Sequence, residues 1–286
     1  MGLGNRVSGR MPCGLGYHET TSSRGTAMNQ YIFDNKSEEQ EFQRLQLVEA
    51  ANDPVTIRLL EETGIQSGWH CLELGAGAGS ILRWLGNRVG PTGRAVGVDK
   101  NIAYLHHANS LPVQIYQGSF LDVPLEQSFD LLHGRYVLIH NQEERTILKK
   151  TYSLLKPGGW ALFEEPDFTS ATLLDQETPQ ERVNRAICRM FINLGLDPAY
   201  ALRLPHKLQE AGYHIVRVQS LMHLCPGNSP MAKVMAESAM VLEQEYSKTG
   251  LCSPQDIQEY VRLSQDSTHW ALYHSTTSVI ARKPII

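Results

Sequence analysis

This 286-residue sequence predicts an α/β fold with a parallel sheet covered on both faces. Three observations carry that reading. Short apolar runs alternate with helix-like segments from Trp69 to Glu165. The first run stops at a glycine turn, "CLELGAGAGS" (71–80). The fifth emerges from a Pro-Gly-Gly turn in "LLKPGGWALFEE" (154–165).

Taken in order, Glu38 to Ala50 places Phe42, Leu45 and Val48 on one helical face, and Thr56 to Glu62 reads as a second helix ending before Gly64. The strand "WHCLEL" (69–74) precedes the helix "SILRWLGNRVG" (80–90), which Gly90 and Pro91 stop. "RAVGVD" (94–99) is a strand, "IAYLHHANS" (102–110) a helix, and "VQIYQGS" (113–119) and "FDLLHG" (129–134) are strands. A helix through "RTILKKTYSLL" (145–155), the turn "KPGG" (156–159) and the strand "WALFEE" (160–165) complete the alternation. After Pro166 the rhythm changes. Residues 178–211 read as helical, with Ile187, Met190, Phe191 and Leu194 on one face. "HIVRVQS" (214–220) is a sixth strand, a second long helical stretch follows, and "HSTTSVIARKP" (274–284) is a seventh strand. The late helical blocks are insertions, so residues 28–286 form a single domain. Residues 1–27, rich in Gly, Ser and Arg, read as a disordered leader.

Composition narrows the partners. Hydrophobic residues at 42% and charged residues at 20% fit a soluble globular chain, and a net charge of -4 disfavours nucleic acid, whose phosphates need a basic face. Five widely spaced cysteines without a C-x-x-C signal neither a disulfide framework nor a zinc site, which suits a reducing cytoplasm. No apolar run approaches the ~18–20 residues of a membrane span, so no membrane partner is expected. His106 and His107 are adjacent, and neighbours on a helix diverge by about 100°, so they do not chelate together. No metal is expected.

The glycine turn needs a ligand. Gly75, Gly77 and Gly79 end a strand where an open parallel sheet binds its ligands, and their bare backbone can approach one closely. No Gly-Lys-Ser/Thr follows, so a Walker loop is excluded. The spacing is G-x-G-x-G, with Ser80 where a dinucleotide loop has its last glycine. Glu73, two residues before the turn, would repel a pyrophosphate but can accept from an ammonium group. Asp99 ends the second strand, placed for ribose hydroxyls, as in nicotinamide-dependent enzymes too. Glycine spacing and Glu73 together favour S-adenosylmethionine over a dinucleotide.

On these features the chain resembles the class I S-adenosylmethionine-dependent methyltransferases, particularly bacterial members acting on small molecules. The resemblance covers residues 69–167 through "LELGAGAG" (72–79), "GVDK" (97–100), "FDLLHGRYVLIH" (129–140) and "LLKPGGWALFEEPD" (154–167). It implies a Rossmann-like seven-stranded, mostly parallel sheet with a reversed last strand. It also implies a helical lid inserted at 168–211 and 226–270. The implied cofactor is S-adenosylmethionine, with Glu73, Gly75, Ala76 and Gly77 along its methionine part and Asp99 and Lys100 at the ribose. Ser119 and Phe120 would bracket adenine. Ser119 stands where the family commonly has Asp, and Asp122 is the alternative acceptor. Arg135 would meet the cofactor carboxylate, with Tyr31 and Arg44 closing over it.

The implied reaction moves a methyl group to O, N or C of a small organic metabolite, for instance a natural-product intermediate. The alternative is a cyclase or scaffold that binds the cofactor without transfer. A base is needed only where the acceptor starts protonated. His133, or whichever of Glu164 and Glu165 faces the pocket, is the candidate. Met231, Met235 and Met240 form either an adaptable pocket wall or a buried helix stripe.

Overall fold

The computed structural model describes residues 37–105, 112–126, 129–173 and 177–285. The expected leader and Tyr31 lie outside the described residues, as do His106 and His107. Seven strands form one sheet: β1 (His70–Leu74), β2 (Arg94–Asp99), β3 (Val113–Gln117), β4 (Phe129–Arg135), β5 (Leu155–Asp167), β6 (His214–Pro226) and β7 (Trp270–Arg282). Their spatial order is β3-β2-β1-β4-β5-β7-β6. β1 to β5 are parallel, and β7 runs antiparallel to both β5 and β6. The strand order reverses between β1 and β4, which opens a crevice at their carboxyl ends.

Alternation along the strands sorts residues to two faces. Cys71, Leu131, Leu162 and Ile280 point to the side covered by α1 (Glu38–Glu62) and α2 (Ser80–Val89). Leu72, Leu132, Phe163 and Val279 point to the side covered by α3 (Glu144–Leu154) and α5 (Tyr200–Glu210). The remaining helices are α4 (Pro179–Asn193), α6 (Pro230–Val241), α7 (Glu243–Ser247) and α8 (Pro254–Ser264). These pack on one another, and α6 also packs on α1.

Four expectations need correction. Residues 38–62 form one helix, although "ANDP" (51–54) reads as a break. Pro54 forfeits one helical hydrogen bond, but Asn52, Asp53 and Thr56 around it are all anchored to other parts of the fold, which holds the helix through the defect. Residues 102–105 are turn rather than helix. Asp99 accepts from the Asn101 N–H and Asn101 from the Ala103 N–H, a local side-chain turn that competes with helix. "KPGG" is an excursion inside β5, opposite the single β4 residue Asp130, with Gly158 at φ +79° and its carbonyl held by Arg282. Finally, α5 lies against β5, β6 and β7, so within 168–211 it covers the sheet and is no part of a lid.

A buried polar cluster fastens α1 to the sheet. Glu164 Oε2 accepts from Thr56 Oγ1 at 2.6 Å, and Oε1 accepts from Ser278 Oγ at 2.8 Å. His133 on β4 lies between two carboxylates, with Nε2 3.3 Å from Glu164 and Nδ1 3.4 Å from Glu73. Arg135 donates to Thr56 Oγ1 at 2.8 Å and to Asp53 at 2.9 Å. Burial alone would push Glu164 up, but His133, Arg135 and Thr56 pull its carboxyl below the usual range. Burial would likewise lower His133, and the carboxylates of Glu164 and Glu73 outweigh it. The cluster therefore holds charge inside the protein. Glu164→Gln should cost on the order of 3 kcal/mol, read as a lower urea midpoint at unchanged slope.

Candidate active site

The glycine turn has the backbone its residue types anticipate. Gly75, Gly77 and Gly79 have φ of +67°, +55° and +87°, which side-chain-bearing residues avoid. A Cβ on Gly75 would sit 2.7 Å from Val137 Cγ2, so the turn lies hard against the segment that follows β4. The Gly77 N–H donates to Asp99 Oδ2 at 2.8 Å, tying the turn to the end of β2. At the α2 N-terminus, the Ser80 N–H donates to Glu49 Oε1 at 2.9 Å. A carboxylate of the chain's own thus occupies a place where a dinucleotide would need its pyrophosphate.

The other cofactor candidates surround this turn or stand beside it. Ala76 is buried, and Lys100 is exposed next to Asp99. Burial pushes the Asp99 carboxyl up, against the backbone N–H groups of Asn101, Gly77 and Lys100 from which it accepts. Ser119 and Phe120 lie in a turn whose Phe120, Leu121 and Val123 carbonyls all accept from Lys150 Nζ, at 2.7 to 2.9 Å. Nothing in the sequence pattern pointed to Lys150, a lysine on α3 far along the chain. Glu73 is buried beneath the turn, and its Oε2 has no hydrogen-bond partner among the described residues. An orphaned acidic oxygen, a backbone cradle and a carboxylate at the end of β2 suit a cationic amino acid joined to a nucleoside. Arg135 turns toward α1 and its Asp53.

Next to the turn is a cavity of about 600 Å³, counting its mouth. Its apolar walls come from Val48 of α1, Phe168, Met190 and Phe191 near α4, and Met231 and Met235 of α6. Arg44, Tyr136, His140, Tyr246 and His274 supply polar edges, and among the described residues the lining includes no carboxylate. Arg44 is held by Glu41, which accepts from Nε at 2.9 Å and from Nη2 at 2.6 Å. Met231 and Met235 line the cavity, whereas Met240 is exposed.

His133, Glu164 and Glu165 are all buried and do not line this cavity. His133 and Glu164 belong to the cluster under α1. Glu165 faces the opposite side of the sheet, where it accepts from the Val137, Leu138 and Ile139 N–H groups at 2.8 to 3.2 Å. Burial lifts its carboxyl to about 8, even against those three donors. The Tyr136 N–H donates to the Glu164 carbonyl. Pinned from both sides, Tyr136 adopts φ +58°, a left-handed conformation that costs a non-glycine residue about 1–2 kcal/mol. The sequence signals neither Tyr136 nor His274 as a pair, because they meet across strands 138 residues apart.

Residues 71–159 match a methyltransferase-domain family. Methyltransferase str2 of Strobilurus tenacellus is 30% identical over 145 residues, 48% of this chain and 50% of that protein. A demethylmenaquinone methyltransferase of Lactobacillus johnsonii is 28% identical over 111 residues, 36% of this chain and 46% of that protein. The chain thus spans half or less of the length of these curated relatives. Among solved structures, the [4+2]-cyclase SpnF superposes with a TM-score of 0.54 at 17% identity, covering 82% of this chain and 81% of that one. At that identity the likeness is one of fold. With the glycine turn and the strand order, this match makes residues 71–159 a methyltransferase domain, and the chain is similar to the class I S-adenosylmethionine-dependent methyltransferases. S-adenosylmethionine is accordingly the cofactor of its turn.

Two outcomes are expected. Gly75→Ala should weaken binding of S-adenosylhomocysteine at least tenfold by calorimetry, because the new methyl meets Val137 in a disfavoured backbone. Burial also lowers His140, helped by Arg44, and His223 to about 4, against 6.5 for an unperturbed imidazole. The unfolded chain therefore takes up these protons first. Stability should be full above pH 6.5 and fall toward pH 4, by on the order of 3 kcal/mol per site, in urea titrations across that interval.

Proposed function

We propose that the protein transfers a methyl group to a small, largely apolar organic molecule held in the cavity beside the glycine turn. One observation carries this reading: Gly75 abuts Val137, and the preceding residue, Tyr136, is part of the cavity wall. A ligand on the turn and one in the cavity would therefore be neighbours. When bound, S-adenosylmethionine supplies a methyl group on a cationic sulfur already activated for displacement. What remains for the protein is alignment and exclusion of water, which by themselves account for large accelerations.

The residues divide those tasks. Gly75, Ala76 and Gly77 would hold the methionine part, Asp99 and Lys100 the ribose, and the Ser119–Phe120 turn the adenine, kept in shape by Lys150. Val48, Phe168, Phe191 and Met235 would grip the acceptor, and α4, α6 and α7 would serve as its cover. A recessed cavity with largely apolar walls suits a small organic molecule rather than a folded macromolecule. The relative named for demethylmenaquinone supports an apolar acceptor. His133, Glu164 and Glu165 we assign to positioning, since their polar atoms are committed to α1 and to the 137–139 backbone. Arg135 we assign likewise to holding α1. No helix among the described residues is long and apolar enough to cross a membrane. The four described cysteines are free, which supports a cytoplasmic setting.

Calorimetry with S-adenosylhomocysteine tests the reading first, and absence of binding would overturn it. Mass spectrometry of products from candidate acceptors tests the transfer. Cofactor binding with no methylated product from any of them would favour the scaffold alternative. Met235→Trp should fill the cavity, raising the acceptor KM at least tenfold while S-adenosylhomocysteine affinity stays within twofold.

A further inference from the structure

The polar edge of the cavity is a hydrogen-bond chain whose proton positions can be deduced. Asn52 Nδ2 donates to the Val48 carbonyl at 2.8 Å, so Asn52 Oδ1 is the atom facing Tyr136. Tyr136 Oη donates to Oδ1 at 3.1 Å, which commits its single proton. The two other groups near Oη must then donate to it: Thr276 Oγ1 at 2.5 Å and His274 Nε2 at 3.3 Å. Thr276 has spent its proton too, so His223, 2.9 Å away, donates to it from Nε2. His274 therefore carries hydrogen on Nε2.

Its other ring nitrogen follows from that. Burial, and the His223 ring 4.7 Å away, hold His274 well below the ordinary imidazole range, so the ring is neutral. A neutral ring protonated at Nε2 has a bare lone pair at Nδ1. Nδ1 of His274 is buried, has no hydrogen-bond partner among the described residues, and belongs to a residue that lines the cavity. A buried acceptor left unpaired is costly, and a ligand that donates to it recovers the loss.

We propose that His274 is the proton acceptor for the methyl acceptor, and that this molecule presents a hydroxyl on an aromatic or enolic carbon. The inference rests on the methyltransferase reading and specifies its substrate class. An ammonium acceptor is disfavoured because, among the described residues, the cavity lining offers no carboxylate to offset its charge. A phenol is neutral and apolar enough to enter, yet with a pKa near ~10 it is protonated at neutral pH and needs a base to become a strong nucleophile. In the step, the acceptor's O–H bond breaks and its proton passes to His274 Nδ1. The oxygen forms its new bond to the methyl carbon, and the electron pair of the broken carbon–sulfur bond stays on sulfur. The imidazolium then loses its proton to solvent. Tyr136 and Thr276 are positioning residues that fix the tautomer.

The test uses the protein loaded with S-adenosylhomocysteine and two probes, 1-naphthol and 1-methoxynaphthalene. Only the first can donate to Nδ1. By calorimetry the naphthol should bind about tenfold more tightly. His274→Leu should abolish that preference. Tyr136→Phe should also abolish it, because the ring is then free to carry hydrogen on Nδ1 and serve the ether as well; this variant keeps the test intact if His274→Leu does not fold. With S-adenosylmethionine, 1-naphthol should yield 1-methoxynaphthalene, and His274→Leu should lower kcat at least a hundredfold. Equal affinities in the parent protein, binding of neither probe, or a preference that survives both variants would overturn the proposal. Failure to bind S-adenosylhomocysteine would instead overturn the methyltransferase reading itself.

Discussion

The buried carboxylate of Glu164 is where separate parts of this molecule are joined. It accepts hydrogen bonds from Thr56 on α1 and Ser278 on β7, and it pairs with His133 on β4. Burying such a charge is costly unless every lone pair has a partner, and here the partners come from three elements distant in sequence. α1 is consequently fixed in position along its length. Its middle is held at the sheet by Asp53 and Thr56, while Arg44, Val48 and Glu49, nearer its start, reach the cavity and the α2 N-terminus. One helix thereby shapes both the glycine turn and the cavity.

Two adjacent glutamates do opposite jobs because a strand sends neighbours to opposite faces. Glu164 fastens α1, and Glu165 fastens the backbone of residues 137–139. Between them they set Tyr136 in its left-handed conformation and aim the wall of the cavity. Strain at Tyr136 is therefore a consequence of anchoring on both sides. It sits where the glycine turn and the cavity meet, which is where a fixed geometry matters most for in-line transfer.

Much of the fold was legible from pattern. Apolar runs with period two and the glycine punctuation located all seven strands, and "LELGAGAG" with Asp99 located the cofactor turn. Helix ends were less legible. Pro54 reads as a stop, but packing against the sheet outweighs one lost hydrogen bond. Asn101 sits just before an apparently helical stretch, yet its side chain closes a turn there. Within the candidate site the glycine turn was legible, because its residues are local to one loop. His133 and Glu164 were conspicuous as polar residues at strand ends, but neither reaches the cavity. Their partners Thr56 and Ser278 are ordinary residues that no local pattern distinguishes.

Determined by the sequence alone were the order of strands and helices, the glycine turn and the preference for a methionine-type cofactor over a dinucleotide. These depend on short-range rules: side-chain periodicity, the φ range open to glycine, and a carboxylate two residues from the turn. Only the tertiary structure decided which polar groups face the cavity, and which histidine keeps a lone pair free. Tyr136, His274, Thr276 and Asn52 come from four separate stretches of chain. Their protonation states follow from mutual distances, which exist only once the sheet has brought them together.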